Sequence, residues 1–250
     1  TTTGIAQQEG LLNINNKVSQ YLGNGWSSEP IEKENLITNR NLLTMTSGLN
    51  DESNLVIKPN LTYLADAGSR WSYSNVFQLL INVIGKASNQ DFETYFNAKL
   101  KNKIGMDGFW NFGTIFTIYH SNTRSMARFG LLLLNKGKWK TEQIINENYV
   151  NETTNSSQDI NPSYGYLWWL NGKSKYMVPG SQTVYPTALV PNAPADMYAA
   201  MGAEDQRIYV IPSKNMVVIR MGDASDPQNP NFALSGFDAA LWDKINAVVR

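Results

Sequence analysis

The chain contains no cysteine. That excludes disulfides, cysteine nucleophiles and thiolate metal sites. It contains one histidine, His120. A zinc site with two histidines on one helix face is therefore impossible. A Ser-His-Asp hydrolase would have to use His120 as its base, yet His120 stands between Tyr119 and Ser121 and reads as a surface side chain. No Gly-x-Ser-x-Gly elbow occurs, nor any glycine-rich loop ending in Lys-Ser or Lys-Thr. Elbow-type esterases and phosphate-binding loops drop out with them. Charge of one sign is also missing, with 21 basic residues against 21 acidic. Nucleic-acid binders carry a basic excess, so no nucleic-acid partner is expected. The longest apolar run, Phe129 to Leu134, is too short to span a bilayer. No signal peptide is read at the front of this sequence, so either there is none or the sequence starts after it.

What is present suits a folded body. Of 250 residues, 42% are hydrophobic and 17% charged, too apolar for disorder and enough for one sizeable core. Trp, Tyr and Phe are plentiful and are costly to leave in water, so many should fill a core or line a pocket.

Periodicity supplies the elements. A helix is expected to end near Gly10, and Asn13 to Leu22 carries a short amphipathic pattern. Thr38 is placed to cap a helix over Asn41 to Met45. Asn50 to Asn60 reads as a surface loop. From Val76 to Ala87 the apolar residues cover most faces, which predicts a buried helix. Further helices are expected over Phe92 to Leu100 and Thr123 to Asn135, and a polar loop over Asn148 to Ser163. Tyr166 to Leu170 reads as a strand, and Arg207 to Ile211 with Met216 to Met221 as a β-hairpin. Gly222 to Asn231 reads as a loop, and Phe237, Leu241 and Ile245 recur at helical spacing. Helices dominate residues 1–135 and strands residues 165–221. That order predicts an α+β fold, an antiparallel sheet flanked by helices with an inserted helical lobe.

The first chemical signal is Tyr73-Ser74-Asn75, which opens the buried helix. A helix N-terminus favours negative charge, and a nearby lysine would add to this. Both would move Tyr73 down from ~10 towards a usable base. Asn75 could hold a lysine or a substrate carbonyl with its amide. The plain structural alternative is a core tyrosine and a helix-capping asparagine.

Several segments carry a resemblance. Leu42 to Leu49 reads LLTMTSGL, followed in order by Gly68 to Asn75, Ile104 to Met106, Arg124 to Gly130, Tyr164 to Trp169 and Pro212 to Asn215. Together they resemble class C-type β-lactamases and related esterases and D-amino-acid peptidases of the penicillin-binding-protein superfamily. The resemblance implies a single β-lactamase-like domain over residues 1–250, with Tyr73 and Asn75 as catalytic residues. It maps Ala200-Met201-Gly202-Ala203 onto the strand segment that borders the active site. Gly202 then takes the place of the family's glycine, and the Ala203 N–H serves as an oxyanion donor, a role that does not depend on the side chain. The family's cation does not survive there, since Ala200 and Met201 carry no charge. Gln206 is placed with them on the substrate side. Trp168 and Trp169 form either an aromatic wall of the acyl pocket or plain core, one ring on each face by alternation.

The same resemblance implies a Ser-x-x-Lys nucleophile. No serine here has lysine three residues on; Ser121 and Ser125 have arginine there, which stays protonated. The motif and the first sheet strands are expected upstream of Thr1. The expected activity is a serine hydrolase acting on a small-molecule ester or amide, β-lactams and D-amino-acid peptides included. It would need no metal or organic cofactor, and the protein would be exported to a bacterial periplasm or beyond. The alternative is a catalytically inactive relative, a binding or scaffold protein.

Overall fold

The computed structural model describes residues 1–228 and 233–249. The expected loop from Gly222 therefore lies outside the described residues over 229–231.

The first part of the chain is helical. It runs through α1 (Thr2–Gln8), α2 (Ser19–Leu22), α3 (Ile31–Glu34) and α4 (Asn39–Thr44). Thr38 caps α4 as expected: its side chain accepts from the Asn41 N–H, and the Asn41 side chain accepts in return from the Thr38 N–H. Only Ser19–Leu22 of the Asn13–Leu22 pattern is helical. A 3-10 turn at Asn75–Gln78 leads into α5 (Leu79–Ser88). Leu79, Leu80, Val83 and Ile84 are buried on α5, and α1 and α2 pack against it. Next come α6 (Phe92–Phe96), a π turn at Asn97–Lys101 and α7 (Asn102–Ile104).

A hairpin then interrupts the helices: β1 (Gly108–Phe112) and β2 (Thr117–Ser121), antiparallel, with Phe109 opposite His120. The sequence pattern hid it because both faces are largely apolar. Trp110 and Tyr119 turn inward onto Phe92 and Phe96, whereas Phe109 and Ile118 stay exposed. No polar–apolar alternation was left to read. His120 lies on the exposed face, stacked on Phe109, as a surface residue.

Beyond the hairpin, α8 (Thr123–Leu134) is capped by the Asn122 side chain. A two-stranded ribbon, β3 (Lys138–Trp139) and β4 (Glu142–Gln143), precedes α9 (Glu147–Thr153). This last helix corrects the expected loop over Asn148 to Ser163. Its composition is polar, but Tyr149, Val150 and Thr153 share one buried face and Asn146 caps it.

The main sheet is antiparallel in the order β5 (Trp169–Leu170), β6 (Tyr198–Met201), β7 (Arg207–Ile211), β8 (Met216–Arg220). The expected strand from Tyr166 shrinks to Trp169–Leu170, because Leu167 adopts φ 60° and breaks the extended run. The β7–β8 hairpin is as expected. Its turn is closed by Asn215 at φ 46°, and asparagine tolerates the left-handed region.

Two helices cover the two faces. On one side α8 packs on β7 and β8, so closely that a Cβ on Gly130 would lie 2.6 Å from Val217 Cγ1. On the other side α10 (Gly236–Val248) sets Trp242 against Tyr209. Side-chain alternation splits the interior accordingly. Tyr198, Ile208 and Val210 join the core shared with the helical lobe, and Ala199, Met201, Tyr209 and Ile211 join a second core under α10. Among the described residues, no helix is long and apolar enough to cross a membrane.

Candidate functional site

The segment that carries Tyr73 is pinned on both sides before it reaches the helix. Trp71 is fully buried, and its carbonyl accepts from Gln182 Nε2 at 3.1 Å. The Ser72 N–H donates to the Met45 carbonyl at 2.9 Å. The Ser72 hydroxyl donates to Asp51, which also takes a 2.9 Å ion pair from Arg70. Burial opposes ionisation of Asp51, but the hydrogen bonds from Ser72 and Arg70 outweigh it and hold the carboxyl below its ordinary range. Asp51 had no signal in the sequence, since its partners lie 19 and 21 residues away.

Tyr73 rests in an aromatic nest. Its ring stacks on Trp169, with centroids 6.0 Å apart and planes at 12°. It also meets Tyr164 edge-on at 6.1 Å and Phe77 at 6.2 Å. Trp71 closes the group against Tyr164 and Trp169 at 5.5 and 5.9 Å. Burial pushes the Tyr73 phenol up to about 12, opposite to the expected direction. The helical run that follows Tyr73, a 3-10 turn and then α5, begins two residues on, and its dipole does not offset the burial. Desolvation by the surrounding rings therefore wins.

Asn75 is the first residue of that turn and does not cap it. Its amide Nδ2 donates to two backbone carbonyls, Asn54 at 2.9 Å and Ile115 at 3.4 Å. It thus ties the 50–60 loop to the tip of the β1–β2 hairpin. Gln78 reinforces the second tie, donating to the Ile115 carbonyl at 3.0 Å and accepting from the Thr117 N–H.

The two tryptophans part company across the sheet, as alternation requires. Trp169 faces Tyr73, and Trp168 turns to the opposite core against Phe129 and Tyr198. Only Trp169 can belong with Tyr73. Met201, at the end of β6 and just before Gly202 and Ala203, lies in the apolar cluster that holds Trp169 and against which Tyr73 packs.

After Gly202 the chain turns sharply. The Gly202 N–H donates to the Gln206 carbonyl at 2.9 Å, and Glu204 and Asp205 sit at φ 56° and 57°. Left-handed backbone at two non-glycine residues needs strong support, and a buried ionic cluster supplies it. Arg207 pairs with Asp205 at 3.0 Å and Asp238 at 2.7 Å, and it donates to the carbonyls of Gly202 and Ala233. Burial pushes the Asp205 carboxyl up, but hydrogen bonds from Ser225 and Ser235 and the Arg207 cation bring it down to about 2. The Gln206 amide is absorbed in the same neighbourhood. It donates to the Glu204 and Gly222 carbonyls and accepts from the Gly222 N–H, so it clamps a loop.

Tyr73, Trp169 and Met201, the residue before Gly202, therefore share one apolar cluster. Asn75 and Gln206 brace it, and Trp168 lies beyond the sheet. A separate cleft of about 640 Å³ lies at the C-terminal end of α5, between Gly85, Gln90 and Phe112, and holds none of these residues. Among the described residues, no cluster of histidine and carboxylate side chains could hold a metal ion.

A family model described as Beta-lactamase matches residues 1–235. Among curated proteins, none matches the chain. Solved structures share the fold. A β-lactamase from Mycobacterium bovis is 19% identical, with a TM-score of 0.64 over 99% of this chain and 80% of its own. A family VIII carboxylesterase is 13% identical, with a TM-score of 0.71 over 98% of this chain and 79% of its own. A penicillin-binding protein from Bacillus halodurans is 16% identical, with a TM-score of 0.61 over 99% of this chain and 82% of its own.

Proposed function

Because the chain belongs to the beta-lactamase family, we propose that it is a serine hydrolase that cleaves an ester or amide through an acyl-enzyme. The observation that supports this best is Tyr73 stacked on Trp169, in an apolar cluster that also holds Met201 just before Gly202. The nucleophile in this reading is a serine of a Ser-x-x-Lys motif upstream of Thr1. Its oxygen bonds the substrate carbonyl carbon while its proton passes to the lysine–tyrosine pair. The leaving group departs with a proton from that pair, and water then repeats the exchange to release the acid. The Ala203 N–H would steady the developing oxyanion.

With its phenol at about 12, Tyr73 is neutral near pH 7 and enters as a proton donor. A lysine cation beside it would be needed to bring it down to a base. Tyr73→Phe is expected to cut turnover of p-nitrophenyl acetate by roughly 10²-fold or more. Unchanged turnover would remove Tyr73 from the mechanism. Export to the periplasm or beyond belongs to the same proposal.

A second reading, a non-catalytic relative, is favoured by one observation. The Asn75 and Gln206 amides are both committed to the protein's own backbone. Incubation with a fluorophosphonate followed by intact-mass measurement separates the two. An adduct on one serine supports the hydrolase, and no adduct supports the binding protein.

A further inference from the structure

Charge is balanced over the whole chain but not along it. Residues 99–140 hold eight Lys and Arg against one acid, Asp107, in a chain whose net charge is zero. Three of the eight, Lys99, Lys103 and Lys136, are paired with Glu9, Glu142 and Glu147 from outside the segment. The other five, Lys101, Arg124, Arg128, Lys138 and Lys140, take part in no ion pair among the described residues. Inside this basic segment lies a stretch with no Asp, Glu, Lys or Arg, residues 108–123. It is the β1–β2 hairpin. Its inner face packs Trp110 and Tyr119 on Phe96. By alternation its outer face presents Phe109 and Ile118, which are 60% and 49% exposed, together with Asn111 and His120. Towards the tip Phe112, Ile115 and Phe116 are exposed as well, beside Thr114.

An antiparallel hairpin brings its two flanks to one end. Gly108 lies opposite Ser121, the Asp107 N–H donates to Ser125 Oγ, and the Arg128 guanidinium donates to the Gly105 carbonyl. The basic flanks therefore meet at the hairpin root. On α8, Arg124, Arg128 and the exposed Leu131 stand at i, i+4 and i+7 and share one face. Just past the end of α8, Lys138 and Lys140 line an open cleft with Lys136. A soluble polyanion would use these cations and leave the aromatic hairpin in water. A second copy docked on the same face would set like charges against each other. An anionic lipid surface takes both features at once. Its headgroups attract the cations, and the Phe and Ile side chains enter the acyl boundary.

We propose that the β1–β2 hairpin and the adjoining basic face of α8 dock this protein on a membrane surface rich in anionic lipid. The contact is peripheral, because the hairpin tip stays tied to the body: the Ile115 carbonyl accepts from Asn75 and Gln78. Through the same tie, docking sets the Tyr73 segment close to the bilayer. Docking does not depend on the hydrolase reading.

The test is cosedimentation with phosphatidylcholine vesicles, with and without phosphatidylglycerol. Partition should be about tenfold stronger or more with phosphatidylglycerol, and it should fall as salt rises. Lys138→Gln with Lys140→Gln should lower it about tenfold. Phe109→Ser with Ile118→Ser should lower it by about the same factor. All four side chains are exposed, so the melting temperature should hold. Lys214→Gln with Lys244→Gln removes as much charge elsewhere on the surface and should cost less than about twofold. Equal partition on the two kinds of vesicle, or equal losses from the two lysine pairs, overturns the proposal. Retention on heparin or DNA without vesicle binding would mark a soluble-polyanion site and overturns it as well. So does a dimer that Phe109→Ser with Ile118→Ser dissolves, in a protein that ignores vesicles, since the face would then join two copies.

Discussion

Two neighbouring regions where β6 ends and β7 begins are held by opposite means, although Met201 and Arg207 face each other in the ladder. Beside Trp169 and Met201 the packing is aromatic and uncharged, built from Trp71, Tyr73 and Tyr164. A few residues on, where β7 begins, a fully buried arginine is shared by two buried carboxylates, and the Tyr209 hydroxyl donates to one of them. Dispersion and desolvation hold the first region, and they tolerate small shifts. Charge pairing holds the second, and it demands complete partners. The strand end proposed to present an oxyanion donor is thus anchored by the stricter of the two.

The largest effect should come from breaking that ionic cluster. Arg207→Met strands Asp205 and Asp238 in the interior and should cost about 3–5 kcal/mol, read by denaturant unfolding. Replacing the carboxylates as well, in Arg207→Met with Asp205→Asn and Asp238→Asn, should recover most of that loss. If the single variant lost under about 1 kcal/mol, the contrast between the two regions would fail. The middle of the scale belongs to packing. Gly130→Ala drives a methyl against Val217, which belongs to a packed strand, and should cost about 1–3 kcal/mol.

The acid limb sharpens the comparison further. Asp205 lies at about 2 when folded, against an ordinary value of 3.8. Its stabilising contribution is full above the ordinary value and is lost as pH falls through the folded one. Stability should therefore drop between pH 3.8 and about 2, and Asp205→Asn should flatten that drop in melts taken across the window. The aromatic end contributes nothing there, because Tyr73 titrates at about 12.

Sequence reading served this molecule where the information was local. The Thr38 cap, the buried run of α5 and the β7–β8 hairpin each follow from neighbours within a few residues, and the structure has all three. The family segments pointed to Tyr73 and to the strand before Gly202, and Tyr73 packs on the cluster that holds Met201 of that strand. What stayed hidden needed distant partners. Asp51 finds Arg70 and Ser72 across a loop, and Asp238 meets Arg207 31 residues away. The direction of the Tyr73 shift was missed because it depends on Tyr164 and Trp169, which no periodicity puts beside it. Helix α9 escaped because its buried face is only Tyr149, Val150 and Thr153 in an otherwise polar stretch.

The last predicted effect has the opposite sign from that of Asp205. Glu29 is half-buried, with its Oε1 enclosed and unpartnered. Burial first, then the charges of Glu34 and Asp66, push its carboxyl up from 4.5 to about 7, against a smaller pull from Lys33. A carboxyl raised in this way keeps its proton longer in the folded state than in the unfolded one. Stability is then fully present below pH 4.5 and erodes as pH rises towards about 7. Glu29→Gln removes the charge and keeps the shape, so the variant should melt higher than the parent at pH 8 and match it at pH 4. A difference that is the same at both pH values would mean that Glu29 stays charged in the fold. The cluster around Glu34 would then be braced well enough to carry a second carboxylate.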